Sequence, residues 1–327
     1  DPLPVLKQNP AWALFLSMYR YALLLLYLLL MIGCELCYPS PSRGKVYHLG
    51  IGLNYAGTDV RLLKGTLNDA REQQKAFSAL YKERSFTSVM LLQEGLLLPD
   101  GSMGYDSAAK ANLPTKERVL FSLASLGEGM NQEDLLVITY SGHGHTDGSW
   151  VLAPSHDDGK IFTDTGDLDV GVLLSVQEIS VILEKAKGKV LLLIDSCYAG
   201  AFVPESETSL SLISETPDFL HTLYATYFGK PGRKSPLTVV AATTKDNTSK
   251  EPQYGSPIHG YFTQALLEGM GWDAQHQSLN KTQGLLNLDE LYAYICKHQG
   301  IPTEGENPVF YQHPTITGGA YTLLLDF

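Results

Sequence analysis

Five apolar runs, separated by stretches of helical periodicity, constrain this chain more than any other feature. Val46 to Leu53 (VYHLGIGL), Phe86 to Leu92, Asp134 to Tyr140 (DLLVITY), Lys189 to Asp195 (KVLLLID) and Leu237 to Ala242 (LTVVAA) read as strands. Between them, Leu67 to Lys82 places Ala70, Ala76, Phe77 and Leu80 at helical spacing, and Thr115 to Leu126 repeats the pattern. Ser175 to Lys187 reads as a helix opened by a Ser175/Glu178 capping box. Tyr261 to Met270 and Leu288 to Lys297 read as late helices. Continuously apolar strands separated by helices predict a mostly parallel sheet covered on both faces, an α/β/α sandwich. In such a fold, ligands gather beyond the carboxyl ends of the strands.

Composition narrows the function classes. The chain has 327 residues, 44% of them hydrophobic, enough for a sizeable core. Its formal charge of -11 argues against a general nucleic-acid binder, and no nucleic-acid partner is expected. Four cysteines (Cys34, Cys37, Cys197 and Cys296) are too scattered for a disulfide scaffold. Cys34 and Cys37 form a C-x-x-C with no second pair to complete a zinc site, so no bound metal is expected there. Gly50, Gly52 and Gly57 follow a strand but miss the dinucleotide-loop spacing.

The N-terminus reads as separate from the fold. Tyr21 to Gly33 is uncharged and follows Lys7 and Arg20, which suits a signal-peptide core or a membrane anchor. Met31-Ile32-Gly33-Cys34 resembles the bacterial lipobox, which implies export and lipidation of Cys34, with membrane attachment through this segment. The expected organisation is a leader or anchor over 1–37, a tether over 38–45, and one domain over 46–327. That domain divides into a first part (46–200), a connecting loop (201–236) and a last part (237–327).

Two strands end in residues that carry chemistry. One runs into Ser141-Gly142-His143-Gly144, the other into Asp195-Ser196-Cys197-Tyr198-Ala199-Gly200. In a parallel sheet both ends lie on one edge, so His143 and Cys197 can be neighbours. A thiol beside an imidazole is the minimum apparatus for thiolate catalysis, because the ring takes the thiol proton and returns it to a leaving amine. Taken singly, such a Cys is usually a core thiol and such a His structural; as a pair in Gly-flanked loops they are far more specific.

Tyr140 to Gly144 and Asp195 to Gly200 resemble the two catalytic motifs of the metacaspases and bacterial caspase-like cysteine peptidases. Gly52 to Gly57, Leu67 to Ala70, Trp150 to Asp157 and Gly260 to Leu267 extend the resemblance along the chain. Tyr198-Ala199-Gly200 departs from the family's usual His-Ser-Gly. Animal caspases carry Gln-Ala-Cys where Asp195-Ser196-Cys197 stands, which argues against cleavage after Asp.

The resemblance implies a cysteine endopeptidase with Cys197 as nucleophile, His143 as base, and the Gly144 and Cys197 amides as oxyanion hole. It also implies that Asp69, Ser141 and Asp195 line the pocket for the residue before the scissile bond. Two carboxylates sharing a pocket favour a cation, so peptides with Arg or Lys there are the expected substrates. Basic residues near the end of the connecting loop suggest self-cleavage at Arg233 or Lys234. The chemistry needs no cofactor. Calcium activation, known in many metacaspases, would draw on Asp157, Asp158, Asp164, Asp167 and Asp169, and a monomer is expected. A membrane-tethered, non-catalytic scaffold that binds basic peptides is the alternative reading.

Overall fold

The structure is a computed structural model. It describes residues 44–109, 111–197, 237–243, 248–252, 257–280, 284, 288–301, 310–312 and 314–318. A six-stranded sheet forms the centre. Its strands are β1 (Val46–Leu53), β2 (Phe86–Gln93), β5 (Leu135–Ser141), β8 (Lys189–Asp195), β9 (Leu237–Ala241) and β14 (Thr315–Gly318). Two-stranded ribbons account for the remaining described strands: β3 (Gly95–Leu97) with β4 (Met103–Tyr105), β6 (Trp150–Val151) with β7 (Leu173–Leu174), β10 (Trp272–Asp273) with β11 (Ser278–Leu279), and β12 (Gly300–Ile301) with β13 (Phe310–Tyr311).

The sheet order is β14-β9-β8-β5-β1-β2, and only β14 is antiparallel to its neighbour. The chain starts at β1, moves outward to β2, then crosses back to β5 on the other side of β1. The strand order therefore reverses between β1 and β5, and a ligand crevice belongs at the carboxyl ends there. All five expected strands are present, and β14 is the addition. Its four residues, TITG, lack an apolar run, and backbone pairing to β9 supplies what periodicity does not.

Side-chain alternation builds two cores from one sheet. Leu136, Ile138 and Tyr140 of β5, with Val190, Leu192 and Ile194 of β8, face α2 (Lys116–Glu128) and α3 (Val176–Leu183). Leu135 and Val137, with Leu191 and Leu193, face α1 (Thr66–Leu80), α4 (Tyr261–Gly269) and α5 (Leu288–His298). Both faces are thus dry, as continuous apolar strands require. The Ser175/Glu178 capping box forms as expected. The helix it opens stops at Leu183 rather than running to Lys187, because Lys185 and Ala186 bond back three residues and tighten the turn into β8.

α1 lies unusually close to β1. A Cβ on Gly52 would come within 2.9 Å of both the Ala70 Cβ and the Thr66 carbonyl. That approach delivers Asp69, in the first turn of α1, to the sheet edge. His48 in β1 is a satisfied core histidine: it is fully buried between Ser88 and Thr139, and burial lowers its pKa to about 3. Among the described residues no helix is long and apolar enough to cross a membrane. The expected leader or anchor over 1–37 lies outside those residues, as do the connecting loop 201–236 and the residues Arg233 and Lys234.

Candidate active site

β5 and β8 pair in parallel with Ser141 opposite Asp195, so the two chemical loops leave the sheet side by side. The Gly142 amide donates to the Asp195 carbonyl at 3.3 Å. Past that bond the two backbones converge until a Cβ on Gly144 would overlap the Cys197 carbonyl oxygen. Only glycine fits there. Gly144 also faces Trp150 across a bridge that uses the amides of His145 and Val151 rather than its own.

His143 is held from three directions. Its amide donates to the Tyr55 hydroxyl at 2.8 Å, and its carbonyl accepts from the Tyr140 hydroxyl at 2.6 Å. The Tyr55 hydroxyl in turn donates to the Val151 carbonyl at 2.6 Å. Its ring lies 4.6 Å from the imidazole, and its backbone takes a left-handed φ of 61°, an uncommon conformation for a bulky residue. Trp150 stacks on Tyr140 at 4.3 Å and fixes that side of the frame. The third hold is on the ring: His143 Nε2 lies 2.7 Å from the Arg61 carbonyl. A carbonyl only accepts, so Nε2 carries the proton and Nδ1 of the neutral ring keeps its lone pair. Burial pulls the His143 pKa down, the Arg61 carbonyl pulls it up, and the charges of Arg61 and Glu251 act in opposite directions.

The three expected pocket residues meet. Ser141 Oγ donates to Asp69 Oδ2 at 2.7 Å, and Asp69 and Asp195 are 1% and 5% exposed. Asp69 also bonds His259 Nδ1 at 2.9 Å and the Gly260 amide at 3.1 Å. Asp195 accepts from Ser249 Oγ at 2.6 Å, Thr263 Oγ1 at 2.8 Å and the Thr263 amide at 3.1 Å. A Cβ on Gly260 would overlap Asp195 Oδ2, so this glycine sits between the carboxylates. Burial raises the Asp195 pKa to about 7, and the charge of Asp69 adds to the rise.

Cys197 lies at the same edge. Its thiol donates to the Ser249 carbonyl at 3.8 Å, and burial holds its pKa above the ordinary thiol value. Ser249, Glu251 and His259 stand in none of the stretches that carry the resemblance, and Thr263 stands in one of them with no role attached. Gly260 to Leu267 did stand out as a helix, but nothing in the sequence said that its first turn reaches Asp195. The partner of the His143 ring, a backbone carbonyl, is invisible to sequence in principle.

No three metal-ligating side chains gather among the described residues. Asp157, Asp158, Asp164, Asp167 and Asp169 do not form an oxygen cage. Asp158 accepts from the Lys160 amide, Asp164 pairs with the Lys160 ammonium, and Asp169 accepts from the Gly171 amide. Cys296 is half-buried on α5 as a free thiol, and Cys34 and Cys37 lie outside the described residues.

Comparison with known proteins matches these features to a family. A family model described as the metacaspase, peptidase C14 domain matches residues 48–205. The Metacaspase-1 proteins of two serotype D strains of Cryptococcus neoformans var. neoformans are each 32% identical over 105 residues. That match covers 32% of this chain and 20% of each relative, so it spans about a fifth of their length. A solved protein of Geobacter sulfurreducens is similar to 84% of this chain and 92% of its own, at 17% identity and a TM-score of 0.47. The stretch that the family model matches contains Asp69, Ser141, His143, Gly144, Asp195 and Cys197, and over it this chain is similar to the metacaspase, peptidase C14 domain.

Proposed function

We propose that this chain is a cysteine endopeptidase that cuts peptide bonds after Arg or Lys, with Cys197 as nucleophile and His143 as base. The family implies a cysteine peptidase; the residue preference rests on one observation, the buried Asp69–Ser141–Asp195 cluster beside the Cys197 loop. A cationic side chain entering there would relieve the repulsion between the carboxylates. A guanidinium can bond both at once, whereas an ammonium offers a point charge.

In this reading the Cys197 thiol leaves the Ser249 carbonyl and passes its proton to His143 Nδ1. The thiolate attacks the peptide carbonyl, and the Gly144 and Cys197 amides receive the oxyanion. One such donor is worth about 3 kcal/mol of barrier in serine proteases. The imidazolium then gives its proton to the departing amine, leaving an acyl-enzyme. Water deprotonated by His143 hydrolyses the thioester and frees the thiol.

Self-cleavage at Arg233 or Lys234 belongs to the same proposal and rests on residue type and position alone. The aspartates after His143 are not gathered for calcium among the described residues, and no step passes through that ion. Membrane attachment through the N-terminal segment and a monomeric state are carried forward from the sequence.

The test compares hydrolysis of fluorogenic peptides that differ only in Arg, Lys, Asp or Ala before the bond, using the full chain and Cys197→Ala, with calcium and with chelator. Cleavage after Arg and Lys that vanishes in Cys197→Ala is expected. Cleavage after Asp alone would refute the acidic pocket. Inactivity under all conditions, with retained binding of basic peptides, would favour the scaffold reading. A Cys197→Ala chain that fragments as the active chain does would refute self-cleavage.

A further inference from the structure

The strip Ser249-Lys250-Glu251 lies outside the two catalytic motifs, yet it touches both the Asp195–Cys197 loop and the start of α1. Ser249 bonds Asp195 through its hydroxyl and faces the Cys197 thiol with its carbonyl. Two residues on, the Glu251 carboxylate accepts from the Lys64 amide at 2.9 Å and the Gly65 amide at 2.7 Å. Gly65 is the N-cap of α1 and has no side chain to cap with, so Glu251 supplies the cap from 186 residues away. Lys250 turns the other way, with its backbone tied to Gln312 and Tyr261.

The capped segment is the one that holds the reacting groups. Three residues before Lys64, the Arg61 carbonyl fixes His143 Nε2. Four residues after Gly65, the Asp69 amide closes the first helical bond onto the Gly65 carbonyl. A Cβ on Gly65 would lie only 3.0 Å from the Gly260 amide and 3.1 Å from Glu251 Oε2, so the joint is tight.

We propose that Glu251 is a positioning residue for the reaction, clamping the segment whose Arg61 carbonyl holds the His143 ring. This rests on the peptidase reading above and adds a residue to it. Of the titratable groups nearby, Tyr55 and Tyr140 hydrogen-bond the His143 backbone and the Arg61 and Glu251 charges act on its ring, while Lys250 and Asp195 act on the Cys197 thiol. Of these, the Glu251 charge favours the imidazolium and the Arg61 charge opposes it. An imidazolium is the form that pairs with a thiolate, so losing Glu251 should weaken the ion pair on which attack depends.

Two substitutions separate charge from grip. Glu251→Gln keeps an oxygen acceptor and removes the charge; Glu251→Asp keeps the charge and withdraws it from the amides. In the full chain, Glu251→Gln should lower kcat about tenfold with KM nearly unchanged, a loss of the size expected for impaired acid–base catalysis. The acid limb of its pH profile, where the imidazolium gives up its proton ahead of the thiol, should move to lower pH by roughly half a unit, as should the imidazole titration of His143 followed by NMR. Glu251→Asp should lose activity with its pH limbs in place. A Glu251→Gln protein with the wild-type pH profile and His143 titration overturns the proposal, even if its melting temperature falls, because a plain helix cap would do that alone. If the wild-type chain cleaves no peptide, the peptidase reading fails, and the His143 titration still decides whether Glu251 governs the imidazole.

Discussion

The ends of β5 and β8 are neighbours that are built in opposite ways. Beyond β5, His143 is held by Tyr55, Arg61, Tyr140 and Val151, all within the first half of the chain. Beyond β8, Asp195 and Cys197 are held by Ser249 and Thr263, which follow the long connecting stretch. The His143 imidazole is held directly by its own strand and nearby loops, with Glu251 reaching it only through the Arg61 segment, whereas Asp195 and Cys197 take their partners directly from residues after position 236. Asp69 joins the two, bonding Ser141 on one side and His259 and Gly260 on the other. Changes around His143 should therefore disturb catalysis alone, and changes around Asp195 and Cys197 should disturb catalysis, selectivity and docking together.

The largest expected effect is at the nucleophile. Cys197→Ala should reduce peptide hydrolysis by about a thousandfold or more, with the thermal transition nearly unchanged, and His143→Ala should match it. A much milder His143 variant would break the idea that the two strand ends act as one unit.

Next comes the pocket. Asp195→Asn should cost roughly a hundredfold in kcat/KM for Arg peptides, with far less change for an Ala peptide, since it removes a buried charge-assisted partner. Equal losses on both peptides would mean that Asp195 serves docking rather than selectivity, which the β8 side of the comparison also permits. Peptide profiling against thermal denaturation separates the two.

On the β5 side, Tyr55→Phe leaves the buried His143 amide without its acceptor. Stability should fall by about 1–3 kcal/mol in denaturant titration. kcat should fall more than KM, because the substrate pocket is untouched. A parallel change in Arg preference would contradict the separation of the two ends.

The smallest effect is a slope. Asp195 has its folded pKa raised to about 7, against an unfolded value near 4. A raised folded pKa contributes stability that is whole below the unfolded value and is lost as pH rises through the folded one. In the Cys197→Ala background, melting temperature should therefore decline between about pH 4 and 7 more steeply than in Cys197→Ala/Asp195→Asn. KM for an Arg peptide should fall as pH rises through about 7, where the folded pocket becomes anionic. Identical slopes in the two proteins would show that the acid pair carries no buried repulsion.

Much of this was legible in the residues. Continuous apolar runs can only be strands buried on both faces, so VYHLGIGL and KVLLLID announced a covered parallel sheet, and the parallel sheet put His143 and Cys197 on one edge. Strand and helix bounds came within a few residues, except where α3 gives way early to a tightened turn. β14 escaped because an edge strand made by pairing needs no apolar signature. In the site, the thiol, the imidazole and the acid pair stood in recognisable motifs. Ser249 and Glu251 stood in none, because a hydroxyl or carboxylate in a loop looks the same whether it meets water or a buried partner; Thr263 stood in a helical stretch that gave no sign of reaching Asp195.

The sequence by itself determined the class of fold, the shared edge and the chemical types gathered there, because periodicity and glycine placement act locally. Tertiary structure alone decided which nitrogen of His143 is free, what holds Cys197, and how the acid pair is satisfied. Those depend on a backbone carbonyl at Arg61 and on residues more than fifty positions away, and chain contacts of that separation are fixed by packing rather than by any local pattern.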